Sequence, residues 1–319
     1  MQRLIVVYNP NSSRFKDVQA EVLAYVKKIK GLMVGKYEVV KKGFEHNVEQ
    51  VAKILRDGDL VIAGGGDATA AITMNGIMKS KKDVIFGVLP YGNFNDLART
   101  LKLSRVEDIF KVFLRFTEED GQLQLQKTQP NVKKLYPLEI YVDGELWRYA
   151  SCYVTMGMTA EAVEIFDNPK IRKGMQKGRK SSWRSYVQLA QWYFKNRHKK
   201  EFIPEFTLNG RATKKGISDY CALSGASMCR VMKGGDDYLK PKVFRSENCR
   251  LINFWRLCRL MIKSILVRTP GAETTGDVLE FVKPATVELQ AEGEYQVFKE
   301  IKKIEVKKAE RFIRIVQGA

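Results

Sequence analysis

A chain of 319 residues, 45% hydrophobic and 29% charged, suits two packed domains rather than one small one. Its formal charge of +19 at pH 7 predicts a polyanionic partner (nucleic acid, an anionic membrane or a phosphorylated ligand) without choosing among them. No window approaches the roughly 18 consecutive apolar residues that cross a bilayer. His46 and His198 are the only histidines, and the odd number of cysteines, five, includes no C-x-x-C pair; histidine catalysis, a zinc site and a disulfide framework are all disfavoured.

The start, MQRLIVVYNP, is too short an apolar run for a signal peptide and reads as a buried strand over Leu4–Tyr8, so a cytoplasmic protein is expected. Helical patterning follows over Val18–Ile29, a strand near Tyr37–Lys41, and a helix over Val48–Leu55. Leu60–Ala63 is a second buried strand, Thr69–Met78 a helix, and Val84–Leu89 a third strand ending at Pro90. Strands alternating with helices imply a Rossmann-like three-layer α/β domain with a largely parallel sheet. Ligands of such sheets bind beyond the carboxyl ends of the strands.

After about residue 125 the texture changes to short strand candidates at Leu138–Val142, Trp147–Val154, Phe202–Leu208, Cys221–Ala226, Leu279–Phe281 and Ala285–Leu289. Turn pairs such as Asp143-Gly144 and Asn209-Gly210 bound them, which predicts a C-terminal antiparallel β-sandwich domain. Helices interrupt it near Trp183–Asn196 and Asn253–Val267, and Phe312–Val316 is a last strand suited to the first domain. The expected division is therefore 1–128 with 300–319 returning, and 129–299 as the β-rich part.

Three loops at strand ends carry the chemistry. Gly64-Gly65-Gly66-Asp67-Ala68-Thr69 runs from a buried strand into a helix, where glycines let backbone N–H groups approach phosphate and the helix N-terminus favours negative charge. An Asp in that position can help hold the Mg²⁺ that screens ATP phosphates. A plain glycine turn with an Asp cap fits the same residues, and no Gly-Lys-Ser/Thr follows, so this is not a Walker A loop. Pro90-Tyr91-Gly92-Asn93-Phe94-Asn95-Asp96 also joins a strand to a helix and admits a simple N-cap reading. Asn9-Pro10-Asn11-Ser12-Ser13 offers amides and hydroxyls at the end of the first strand. Three such loops on one edge of one sheet favour a phosphate site over three unrelated turns.

Asn9-Pro10-x-Ser12, Gly65-Gly66-Asp67-x-Thr69 and Pro90-x-Gly92-x-x-Asn95-Asp96-x-Ala98-Arg99 occur in the order and spacing of the diacylglycerol kinase-like catalytic domain, which this chain resembles; sphingosine kinases and bacterial lipid kinases share it. Glu292-Gly293-Glu294 is similar to that family's late Asp-Gly-Glu. The resemblance implies ATP binding by Asn9, Ser12, Gly65, Gly66, Asp67, Thr69, Gly92 and Asn95, and Mg²⁺ held by Asp67 and Asp96. It implies Glu292 as general base on a lipid hydroxyl, with Asp96 and Glu294 as the other catalytic carboxylates. Ala68, Asn93, Tyr136, Asn248 and Glu292 stand where the family pattern has other residues. A relative that binds nucleotide or lipid without turnover is the alternative these positions leave open.

The lipid reading implies an anionic membrane surface as partner and peripheral attachment. In the helix near Trp183–Asn196, Trp183, Val187, Ala190 and Phe194 form the stripe expected to be buried, with Trp192 on the basic side. Aromatic residues embedded among Lys and Arg suit an anionic headgroup layer, though a solvated basic loop fits equally. No nucleic-acid-binding signature accompanies the charge. A homodimer is one of the states the sequence allows.

Overall fold

The computed structural model describes residues 2–12, 20, 22, 24, 32–92, 95–103, 116–119, 122–125, 132–157, 159–161, 187, 191–192, 194–195, 203–213, 219–225, 227–228, 232–233, 242–246, 272–273 and 276–318. The helix expected over Asn253–Val267, Asn248 and most of the basic residues flanking Trp183–Asn196 lie outside them. The chain divides into two compact units, Met1–Pro137 with Ala309–Ala319, and Leu138–Lys308.

In the first unit the elements run β1 (Gln2–Tyr8), β2 (Leu32–Glu38), α1 (Phe44–Ile54), β3 (Leu60–Gly65), α2 (Asp67–Ser80), β4 (Ile85–Pro90) and α3 (Asp96–Thr100). A ribbon of β5 (Phe116–Glu119) and β6 (Gln122–Leu125) and then β7 (Val132–Leu135) follow. The six-stranded sheet has the order β2-β1-β3-β4-β20-β7, with β20 (Ile313–Val316) supplied by the end of the chain. Neighbours from β2 to β20 are parallel, and β7 runs antiparallel against β20. Every residue of β3 is buried because the strand is paired on both edges and covered on its faces. α2 is buried from Thr69 to Met78, all round rather than along one stripe, and α1 packs on it. Arg311 closes its far end by donating to the Met78 and Lys82 carbonyls at 3.1 and 2.8 Å.

The strand expected at Tyr37–Lys41 lies earlier, at Leu32–Glu38. Its register against β1 ends at Tyr8↔Glu38. Beyond that point the Asn47 side chain takes over: its Oδ1 accepts the Val40 N–H and the Tyr37 hydroxyl, both at 2.9 Å. Its Nδ2 donates to the Val40 and Gly43 carbonyls at 2.8 and 2.6 Å, so a local amide replaces strand pairing.

The second unit holds β8 (Leu138–Val142), β9 (Glu145–Ala150), β10 (Tyr153–Gly157), β11 (Phe206–Leu208), β12 (Arg211–Ala212), β13 (Asp219–Leu223), β14 (Ser227–Met228), β15 (Met232–Lys233), β16 (Lys242–Ser246), β17 (Ala272–Glu273), β18 (Gly276–Ala291) and β19 (Glu294–Lys308). Ten of these strands form one antiparallel sheet along β17-β16-β13-β10-β18-β19-β8-β9, with β11 and β12 beside β18. The sheet curls over one core: Ile140 of β8, Tyr220 of β13 and Leu289 of β18 belong to a single buried cluster. The long β18 pairs with β11 through Phe281 and with β10 through Leu289 on successive parts of its length. Its pairing with β19 shifts register between Glu280 and Ala285, where Pro284 has no N–H to offer the ladder.

Of the helix expected over Trp183–Asn196, residues 187, 191, 192, 194 and 195 are described and helical. Of the stripe expected to be buried, Val187 and Phe194 are described, and they are 39% and 51% exposed, while Trp192 is partly buried. Val187 and Phe194 are two turns apart, and both side chains meet solvent. Cys152 and Cys221 are buried in the second unit.

Asn47 is 1% exposed and all four of its amide hydrogen-bonding positions are used. Asn47→Ala is expected to lower the unfolding free energy by about 1–3 kcal/mol in urea titration, because the Val40 amide and carbonyl lose their partner.

Candidate functional site

Sheet order places the candidate residues before any side chain is considered. β1 leads outward to β2, whereas β3 leads the other way to β4, so the strand order reverses between β1 and β3. The loops leaving β1, β3 and β4 therefore emerge side by side, with Tyr8 registered on Gly64 and Gly65 on Pro90. The Asn9–Ser12, Gly65–Asp67 and Pro90–Asp96 segments occupy one edge of one sheet.

Two loops touch through their glycines. A Cβ on Gly92 would stand 2.3 Å from the Gly66 Cα, and one on Gly66 would stand 3.0 Å from the Gly92 Cα, so the backbones close together only without side chains. Across this contact Asp67 spans the gap. Its Oδ2 accepts the Asn95 N–H at 2.9 Å and its Oδ1 the Asp96 N–H at 2.7 Å. One carboxylate thus fastens the first turn of α2 to the entry of α3.

Asn95, in the left-handed region at φ 54°, is turned inward. Its Oδ1 accepts the Gly92 N–H at 2.7 Å, and its Nδ2 donates to the Gly92 carbonyl at 2.7 Å and the Pro90 carbonyl at 3.3 Å. Asn95 and Gly92 therefore shape the loop from within. Asp96 is 1% exposed and ion-paired with Arg99 one turn on. Arg99 closes the motif on which the resemblance rests but is given no role by it, although the i,i+3 spacing carries the signal of this pair. Thr69 is buried, its side chain lying over Gly65 where a Cβ would come within 2.3 Å of Oγ1.

The first loop is an Asx turn, with Asn9 Oδ1 accepting the Asn11 N–H at 2.9 Å and the Asn9 carbonyl accepting the Ser12 N–H at 3.0 Å. The Ser12 hydroxyl is buried without a hydrogen-bond partner among the described residues. α2 begins at Asp67 behind Gly66, with no side-chain cap on its leading amides. An orphaned hydroxyl beside an uncapped helix start, under loops stripped of Cβ atoms, is the donor set a polyphosphate requires.

Burial pushes the Asp67 carboxyl above its ordinary value, while the Asp96 and Asn95 amides and the Arg99 guanidinium pull the other way. Among the described residues no group of three or more His, Cys, Asp or Glu is arranged to hold a metal ion. Mg²⁺ commonly takes only one or two carboxylates and completes its shell with phosphates and water. A carboxylate oxygen that accepts one amide keeps a second lone pair, so Asp67 fits that partial role, while one oxygen of Asp96 is paired with Arg99.

Glu292 and Glu294 belong to the second unit. Glu292 and Gly293 form the two-residue turn between β18 and β19, with φ of 52° and 89°, and Ala291 pairs with Glu294 across it. Two successive positive φ values mark the tight hairpin turn whose twist suits its strands. The Glu292 side chain is buried, 4% exposed, and its Oε1 accepts the Ser151 N–H at 2.7 Å, the Cys152 N–H at 2.5 Å and the Ser151 hydroxyl. Ser151 and Cys152, between β9 and β10, carry no sequence signal for this contact, being some 140 residues away. Glu294 is partly exposed at the start of β19.

Residues 3–123 match the model of the diacylglycerol kinase catalytic domain. That span contains the three loops on which the resemblance to this family was read. The chain is 37% identical over 114 residues to the diacylglycerol kinase of Bacillus subtilis, covering 35% of this chain and 36% of that protein. It is 34% identical over 104 residues to the diacylglycerol kinase of Staphylococcus carnosus, covering 32% of this chain and 33% of that one. The matches span about a third of the length of these curated relatives. The fold extends further. A crystal structure of a diacylglycerol kinase from Bacillus anthracis superposes with a TM-score of 0.60 over 99% of this chain and 97% of that chain, at 11% identity. A second structure from that organism reaches 0.64 over 99% and 98%, at 13%. The two-part architecture, parallel α/β followed by antiparallel β, is that of these proteins.

Gly92→Ala is expected to weaken nucleotide binding at least tenfold in calorimetric titration while the far-UV spectrum is kept, because the added methyl forces the two loops apart. Between the ordinary carboxylate range and its raised value, folded Asp67 holds a proton that the unfolded chain has released. Its contribution makes stability fall as pH rises through that window and level off above it. Asp67→Asn should remove that part of the slope in urea midpoints measured from about pH 4 to about pH 8.

Proposed function

We propose that this protein is an ATP-dependent kinase transferring the γ-phosphate to the hydroxyl of a diacylglycerol-like or sphingoid lipid at a membrane surface. The observation that carries the reading is the edge of the first unit, where the Asp67 carboxylate and the Gly66–Gly92 contact hold two loops beside the partnerless Ser12 hydroxyl. The match of residues 3–123 to the diacylglycerol kinase catalytic domain suggests the chemistry that edge would serve.

In this reading the first unit binds nucleotide and the second receives the lipid. ATP phosphates lie against the backbone of Gly65 and Gly66, the leading amides of α2 and the hydroxyl of Ser12, with Asn9 shaping that loop. Mg²⁺ screens phosphate charge when bound, held by Asp67 and Asp96 together with the phosphates. Arg99 holds the Asp96 carboxylate in place, and Thr69 fills the space over Gly65. Phosphoryl transfer needs positioning and charge stabilisation more than covalent chemistry, which suits a site made largely of backbone and carboxylates. The acceptor hydroxyl is served by the Glu292–Glu294 hairpin.

Attachment to an anionic membrane is supported by the exposed Val187–Phe194 face within a lysine- and arginine-rich stretch. Among the described residues no helix is long and apolar enough to cross a membrane. A cytoplasmic location goes with this reading, and a homodimer is compatible with it. A second reading, a relative that binds without turnover, draws on one observation: Glu292 is tied into its own domain by three donors.

The test is transfer of labelled γ-phosphate from ATP, with Mg²⁺, into a panel of micellar lipid alcohols. Label is expected in one lipid class, and Ser12→Ala should weaken ATP about tenfold through loss of a hydroxyl bond to charged phosphate. Absence of label from every lipid while ATP still binds would replace the kinase reading with the binding one.

A further inference from the structure

Three donors converge on a single oxygen of Glu292: the backbone N–H groups of Ser151 and Cys152, at 2.7 and 2.5 Å, and the Ser151 hydroxyl. A carboxylate oxygen has two lone pairs, so this one is saturated. The residue is 4% exposed, leaving a lipid alcohol no open approach to it. A general base must lie within hydrogen-bond reach of the proton it takes, directly or through one water.

The surroundings are those of a structural clasp. The Cys152 carbonyl accepts the Ser224 and Gly225 N–H groups at 2.6 and 2.8 Å, tying the same turn to the end of β13. A Cβ on Gly225 would come within 2.8 Å of the Cys152 Sγ, so the packing there is tight. One residue further along each strand, Val154 pairs with Ala291 and Thr155 with Gln290, whose side chains are joined by a 2.8 Å hydrogen bond. The Glu292 carboxylate thus pins the tip of the β18–β19 hairpin to the β9–β10 turn, and Glu294 opens the strand beyond that tip.

We infer that Glu292 is a positioning residue and not the base of the phosphoryl transfer: it fixes the hairpin that carries Glu294 by filling the amide nest of Ser151 and Cys152. The functional half of this inference rests on the kinase reading above; the clasp itself does not. Glu292→Gln keeps a carbonyl oxygen for the same donors but cannot take up a proton as a base, whereas Glu292→Ala empties the nest.

The experiment is two-armed, on the full chain. In hydrogen exchange without substrate, Glu292→Ala is expected to speed exchange of the Ser151 and Cys152 amides at least tenfold, and Glu292→Gln to keep most of their protection. Unchanged exchange in Glu292→Ala would overturn the clasp. If that variant fails to fold, Glu292→Gln decides, and loss of protection there overturns it. In the kinetic arm, Glu292→Gln should retain kcat within about tenfold and keep the acid limb of the wild-type pH–rate profile. A fall of a thousandfold or more, with that limb gone, would make Glu292 the base and overturn the inference. A wild-type protein that phosphorylates no lipid would sink the kinase reading, and the exchange arm would then decide the clasp alone.

Discussion

The loop edge of the first unit depends on one carboxylate spanning two loops that only glycine lets meet. Asp67 opens α2, yet its two oxygens are spent on the Asn95 and Asp96 amides rather than on its own helix. Without that bridge the uncapped start of α2 and the loop after β4 would be two unrelated turns. With it, the two loops are tied to each other. The arrangement carries an electrostatic cost, because burial disfavours the charged form of Asp67 and two amides and Arg99 only partly offset it. Strain of this kind is commonly retained where a site needs it. A cation arriving with nucleotide would favour the same anion.

How far the sequence could be read follows from the range of each interaction. β3 and its loop were legible because a fully buried parallel strand is an uninterrupted apolar run and its glycines are adjacent in the chain. The alternation of strands and helices, and the change to antiparallel texture, rest on equally local patterns. The Tyr37–Lys41 strand was misplaced because one buried amide, Asn47, captured the backbone of Val40; composition does not reveal such a capture. At the candidate site, Gly66, Asp67 and Asp96 were legible as residues but their division of labour was not. Asn95 proved to face into its own loop, and Arg99 proved to be the partner of Asp96. The helix face with Val187 and Phe194 was assigned to the interior because an apolar stripe is usually core; its exposure is the departure worth explaining.

The positive charge is unevenly used. On the outer face of β19, Lys303 and Lys307 flank Glu305 at 3.5 and 3.6 Å, and Lys307 lies over the Tyr141 ring, so the cations there are balanced locally. Residues 170–200, by contrast, contain eleven Lys and Arg and no Asp or Glu. Much of the net +19 is thus gathered in the stretch that also displays Val187 and Phe194. Basic residues close in sequence to exposed apolar side chains are what the proposed attachment to an anionic membrane would draw on.

Glu292 shows how one methylene can redirect a carboxylate. Its backbone sits at φ 52°, a conformation that costs a residue of this type about 1–2 kcal/mol. A turn designed only for hairpin closure would place Asn or Asp there, since their short side chains tolerate it. Glutamate is retained with its chain folded inward to the Ser151 and Cys152 amides, where hydrogen bonds to a charged acceptor contribute roughly 1.5–3 kcal/mol each before desolvation is counted. The bonds oppose the cost of that backbone conformation. A shorter acid at the same turn would have to draw the two strands together to reach those donors, or leave the nest and face outward toward an acceptor. The choice of Glu over Asp at this position is therefore a choice between fastening the hairpin and presenting a base, and the geometry of this chain fastens it.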